Sequence, residues 1–217
     1  GRFDVMDHST GRHIIGAGRL EDSEDAGDSY DWSAGGHPVP QAAGRGDKMQ
    51  ERVLATDSRI ADMDESNRQV YLTIEQQDDG TATVRLHIAW ALPSRFNDST
   101  QTRSDEMEWN TIDHYITLRS GHAMVEVETW VNNACEDHRL RLHVPTGVDA
   151  KKVHAGAAFD VIERPANWPH LGDWEQPHVP TQHFSDLLMV EESGGGIALF
   201  CPGSNEYEAI TGEGGTT

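Results

Sequence analysis

"ATVRLHIAWAL", Ala82 to Leu92, alternates apolar and polar side chains with a period of two: Ala82, Val84, Leu86, Ile88, Trp90 and Leu92 fall on one face, and Thr83, Arg85 and His87 on the other. Successive side chains of an extended chain point to opposite sides, so this is the pattern of a half-buried β-strand. The same alternation returns in "TIDHYITL" (Ile112, His114, Ile116, Leu118), in "MVEVETWV" (Val125, Val127, Thr129, Val131) and in "HRLRLHV" (Leu140, Leu142, Val144). Turn formers separate these runs: "QDDG" at 77–80, "RSGH" at 119–122 and "NNACED" at 132–137. Four strands with short connections and one polar face each predict an antiparallel meander of the sandwich type, not a parallel sheet under helices.

Outward from that centre the pattern weakens. "GGGIALF" predicts a further strand, and its unbroken run from Ile197 to Phe200 suggests burial on both faces. Residues 47–63 carry Met49, Val53, Ile60 and Met63 at helical spacing, but Thr56, Asp57 and Ser58 interrupt the stripe, and strand and loop is the preferred reading. Residues 32–46 and the four-proline stretch 165–183 read as loops, and no internal repeat is present.

The chain has 217 residues, enough for one large domain or two small ones, and carries 37 acidic against 17 basic residues, a formal net charge of -20. Such a surface repels nucleic acid and anionic membranes, so neither is expected as a partner. Lysine occurs only at positions 48, 151 and 152, a bias that resembles proteins of salt-loving organisms; an ordinary acidic protein is the alternative. The two cysteines, Cys135 and Cys201, are far apart in sequence and outside any CxxC motif, which disfavours a disulfide framework and a structural zinc site. With no membrane-length apolar run and no signal-peptide pattern, a soluble, cytoplasmic location with reduced thiols is the expectation.

"RLEDSEDAGDSYDW", Arg19 to Trp32, is dense in carboxylates but fails as a calcium loop: with Gly27 as the turn glycine, Ala26 and Ser33 occupy two ligand positions. His170, His178 and His183 lie close in sequence, but their loop has no obvious carboxylate or thiol geometry, and surface histidines of a proline-rich loop are the preferred reading over a metal site. No Gly-x-Ser-x-Gly elbow or phosphate-cradling loop is present, and Cys201 ends an apolar strand and reads as a small core residue. Catalytic carboxylate pairs cannot be singled out in so acidic a chain.

Three segments in order resemble the β-rich C-terminal region of glycoside hydrolase family 38, the α-mannosidases: "VETWVNNACEDHRLRLHVPTGV" (Val127 to Val148), "AFDVIERP" (Ala158 to Pro165) and "GGGIALFCPGSNEYEA" (Gly194 to Ala209). "DAGDSYDW" is similar to the acidic loop that begins the family's large sandwich. The resemblance implies an all-β fold, a large antiparallel β-sandwich of the galactose-mutarotase-like supersandwich type with few helices. Residues 1–217 would form a single sandwich domain of a larger α-mannosidase, incomplete at its C-terminus.

The family's enzymes, by the same resemblance, are retaining and zinc-dependent, with the nucleophile and principal zinc ligands in an N-terminal barrel. This chain alone is then expected to lack zinc and hydrolytic activity, to support that barrel as its partner, and to lend it one loop. Tyr30 stands where the family places an aromatic that touches the bound mannoside, and a phenol offers both a ring face and a hydroxyl for the task. Asp25 and Asp28 shape that loop or bind hydroxyls. Arg139 and Arg141 share a face and are expected to pair with carboxylates of a neighbouring strand, His138 to bond within a turn, Arg164 to clamp a loop, and Glu206 and Glu208 to serve strand packing. Two further readings stay open. An independent carbohydrate-binding sandwich predicts a row of exposed aromatics, for which Trp32, Trp168 and Trp174 are the sequence candidates. A structural or homo-oligomerising domain predicts an unpaired strand edge.

Overall fold

A computed structural model describes residues 1–27, 32–35, 58–61, 64–76, 79–167, 181–212 and 215–216. The described chain is all β apart from single 3-10 turns such as Glu65–Asn67. Its first strands are β1 (Phe3–Asp7), β2 (Arg12–Ala17), β3 (Arg19–Glu24), β4 (Ser58–Ile60), β5 (Arg68–Gln76) and β6 (Thr81–Pro93). The two-residue strands β7 (Phe96–Asn97) and β8 (Thr102–Arg103) form a small ribbon before β9 (Met107–Arg119), β10 (Val125–Asn132) and β11 (His138–His143). Then come β12 (Lys152–Gly156), β13 (Val161–Pro165), β14 (Gln182–His183), β15 (Leu187–Glu192), β16 (Gly195–Phe200), β17 (Glu206–Tyr207), β18 (Thr211–Gly212) and β19 (Gly215–Thr216).

The opening motif is the middle of the largest sheet. β6 pairs with β9 along its whole length and with β5 on its other side, and β10 completes the antiparallel order β10-β9-β6-β5. Gly80, with φ at +80°, closes the β5–β6 hairpin, and Asp79 Oδ1 accepts from the Thr81 amide at 2.9 Å; a left-handed residue here needs glycine. Leu86, Ile88, Trp90, Leu92 and Ile112 project from one face and are almost fully buried. They meet Leu20 and Leu140 from a second sheet, β11-β3-β4, which makes the two layers of the sandwich. Inside, Trp90 Nε1 donates to Asp64 at 2.9 Å, so its polar atom is satisfied.

A third sheet, β13-β12-β15-β16, packs Val148, Ala150, Val153, Ala166 and Val190 into a separate core. Gly156 is fixed by contact: a Cβ there would lie 2.2 Å from the Ser185 carbonyl oxygen.

Three expectations change. The strand over 138–143 forms but leaves the meander, pairing with β3. "GGGIALF" is an edge strand, not a doubly buried one, with Phe200 71% exposed, because β16 has a neighbour only in β15. The apolar side chains of β10 are not buried either: Val127 and Val131 are exposed. Most of 47–63 and of the four-proline loop lies outside the described residues.

Candidate functional site

The acidic opening of the chain is a strand before it is a loop. β3 carries Glu21, Asp22 and Glu24 and pairs residue for residue with β11, His143 opposite Arg19 and His138 opposite Glu24. Alternation sends Asp22 and Glu21 to opposite faces. Asp22, wholly buried, receives Arg103 from the β7–β8 ribbon on one carboxylate oxygen and His138 Nδ1 at 2.6 Å on the other. The other ring nitrogen of His138 meets Asn133 Oδ1 at 2.9 Å, so this histidine is held in the turn, as its position suggested.

On the opposite face, Arg141 spans two carboxylates. Its two terminal nitrogens donate to Glu21 and Glu208 at 2.6 Å each, and His143 Nε2 reaches the second oxygen of Glu21 at 2.6 Å. The expected pairing of Arg141 with a neighbouring strand is therefore present, and Glu208 is its second anchor. Arg139 takes a different partner: its guanidinium lies 3.9 Å from the centre of the Trp32 ring. Burial, followed by the nearby Arg141 charge, pulls the Arg139 pKa down to about 10.

Together these contacts pin both ends of the loop that follows β3. Asp25 Oδ1 accepts from the Gly27 amide at 2.9 Å and the Ser33 amide at 3.2 Å, while the Asp25 amide donates to the Asp137 carbonyl. Trp32 Nε1 donates to the Glu24 carbonyl at 2.9 Å, and the Gly35 amide to Glu24 Oε1 at 3.2 Å. Asp25 thus shapes the loop, one of its two expected roles. Asp28 and Tyr30 lie outside the described residues. Arg164 clamps a backbone carbonyl, that of His183 at 2.5 Å, in place of a carboxylate.

A shallow polar cleft of about 430 Å³ is lined by Asp7, Arg12, His13, Thr146 and Glu192 among others, and Asp25, the one expected site residue among those described, is not in its lining. Among the described residues no three His, Cys, Asp or Glu side chains are gathered in a metal-holding group, so the donor set a zinc ion needs is not found there.

Chain comparison gives this arrangement a lineage. The profile described as Glycosyl hydrolases family 38 C-terminal domain matches residues 48–215. The chain belongs to this family. A protein of Halalkalibacterium halodurans (strain C-125) named "Putative mannosylglycerate hydrolase" is 23% identical over 211 residues, covering 97% of this chain and 22% of that protein. In fold, the family 38 chain superposes on an alpha-mannosidase from Enterococcus faecalis V583 with a TM-score of 0.75 at 22% identity, over 97% of this chain and 22% of the other. A second glycosyl hydrolase family 38 structure from Enterococcus faecalis gives 0.72 at 20% identity, covering 95% and 23%. The chain spans about a fifth of the length of these relatives, 22% of the first two.

Sequence reasoning missed two features of this family 38 sandwich. One is β5, whose Val70, Leu72 and Ile74 alternate plainly and would have revealed it. The other is a group of exposed aromatics on one face of the β5–β6–β9–β10 sheet, Tyr71, Trp109 and Trp130, which are 60%, 51% and 63% exposed; the sequence candidates were Trp32, which is spent on the loop, and Trp168 and Trp174, which are outside the described residues.

Proposed function

We propose that this chain serves as the C-terminal sandwich of a retaining, zinc-dependent α-mannosidase, seating an N-terminal catalytic region that holds the zinc and lending it the loop with Tyr30. The observation that carries the reading is a half-covered sheet. Leu20 and Leu140 cover the end of the β5–β6–β9–β10 sheet that contains Trp90 and Ile112. The same face continues through Leu72, Ile74, Leu118 and Val127, which are 61%, 67%, 53% and 41% exposed. Register puts them beside the core: Leu72 is opposite Leu86, and Val127 is opposite Ile116. A contiguous apolar surface of this kind is costly in water and suits a large partner domain. The chain spans 22% of the length of these relatives, which leaves room in them for such a domain; one is named an alpha-mannosidase and another a putative mannosylglycerate hydrolase, which supports mannosides as the substrate class.

The test combines the chain with the catalytic region of its parent enzyme. We expect the two to co-elute and to hydrolyse a chromogenic α-mannoside, with the catalytic region alone far less active. Leu72→Lys with Leu118→Lys should abolish both co-elution and activity while leaving the chain's own stability within about 0.5 kcal/mol, because these side chains are exposed without the partner. Tyr30→Phe should raise KM in the complex. A catalytic region that works equally well without this chain overturns the reading.

A further inference from the structure

The opposite face of the same sheet carries a different pattern. In register across the four strands stand Tyr71, His87, Asp113 and Trp130. Tyr71 and Trp130 are exposed at the two ends, three strand spacings apart, or about 14 Å. Trp109, on the same face of β9 four residues from Asp113, is a third exposed aromatic, about 14 Å along the strand. Between them lies a fixed polar strip: Asp113 Oδ1 accepts from Arg85 Nε at 2.8 Å and meets His87 Nδ1 at 2.9 Å. Tyr115, beside Arg85 in register, has that guanidinium 5.7 Å from its ring centre. Gln69, Thr111 and Asn132 line the adjoining row with neutral amides and a hydroxyl.

We propose that this face is a binding platform for a neutral oligosaccharide. Sugar rings present apolar C–H faces and a rim of hydroxyls. Exposed indole and phenol rings take the former, and a strip offering both donors and acceptors takes the latter. The exposure of the aromatics and their wide spacing suit a chain of several sugar units, not a single ring. Charge selects further: Arg85 is already matched by Asp113, and the chain's net charge of -20 disfavours anionic ligands. Leaving two tryptophans and a tyrosine in water on one face of so acidic a protein is otherwise unexplained by packing, since all three stay more than half exposed. The inference stands apart from the proposed role in an α-mannosidase, which uses the other face of the sheet.

The experiment is an NMR titration of the 217-residue chain with a linear mannotetraose and, separately, with cellotetraose, following indole N–H signals assigned through Trp130→Phe and Trp109→Phe. Saturable shifts of the Trp130 signal with either sugar at millimolar concentration are expected. Trp130→Ala and Tyr71→Ala should each weaken binding by about tenfold or more, with melting temperature nearly unchanged because both side chains are exposed. Mannose alone should give shifts too small to saturate. No shift with either tetrasaccharide overturns the platform, and so does binding that survives both alanine variants. Neither result bears on whether the catalytic region docks on the opposite face.

Discussion

Asp22 and Arg103 are 81 positions apart in sequence, yet their charged groups meet in the interior of the sandwich with His138 on the second carboxylate oxygen. Both residues are almost entirely shielded from water. Removing the carboxylate strands a guanidinium in a medium that solvates it poorly, which typically costs about 3–5 kcal/mol. Asp22→Ala should therefore lower the unfolding free energy in urea by that order. The double variant Asp22→Ala with Arg103→Met should recover a large part of it, since no orphaned charge remains. Equal losses in the single and double variants would show that the pair is not what matters there.

Arg141 joins β11 to Glu208, just beyond β17, as well as to Glu21 of β3. Charge-assisted hydrogen bonds of this kind are each worth about 1.5–3 kcal/mol. Arg141→Met should loosen the attachment of the segment around 206–209, read as faster amide exchange there, and destabilise the fold by about 2 kcal/mol. Arg141→Lys, a point charge without the fork, should satisfy only one of the two glutamates and fall between.

The sheet that organises the fold was legible because period-two alternation in Ala82–Leu92 and in 111–118 directly reports one wet and one dry face. β3 was not legible, for a physical reason. Glu21 and Asp22 look like solvated loop charge, and partners distant in sequence, Arg141 and His143 for the first and Arg103 and His138 for the second, turn them into strand residues with satisfied carboxylates. The exposure of Val127 on β10 was hidden too, because alternation shows which face a side chain takes and not whether anything covers that face. Family resemblance supplied the loop that holds Asp25; no local pattern around Tyr30 identifies it as a sugar contact.

Asp25 should act on order in the loop more than on overall stability. Its Oδ1 holds the Gly27 and Ser33 amides, and losing two such partly exposed bonds costs about 1 kcal/mol. With Asp25→Ala we expect the Gly27 and Ser33 amides to exchange faster while the β6 and β9 amides are unchanged. Asp25→Asn, which keeps an acceptor oxygen, should restore most of the protection.

Salt offers a test of the acidic surface. Mutual repulsion within a net charge of -20 opposes compaction, and the screening length falls from about 8 Å at 0.15 M salt to about 3 Å at 1 M. If the lysine-poor composition is an adaptation to salt, melting temperature should climb steeply from low salt to molar sodium chloride. A flat profile would leave the composition as that of an ordinary acidic protein.

His114 sets a pH limit on the fold. It is completely buried on the inner face of β9, with Nδ1 2.9 Å from Thr129 Oγ1. Burial, opposed by the Asp113 charge, lowers its pKa from the ordinary 6.5 to about 4. A depressed histidine pKa means that the unfolded chain binds the proton more readily, so stability rises with pH wherever the two states differ in protonation. The contribution is complete above about pH 6.5, where the ring is neutral in both states, and is lost progressively as pH falls towards 4. The full difference corresponds to about 3 kcal/mol. Unfolding measured from pH 7.5 to 4 should show this decline, and His114→Leu, which keeps the volume and cannot take a proton, should flatten it. A variant that loses stability in parallel with the parent chain over that range would assign the decline to other groups.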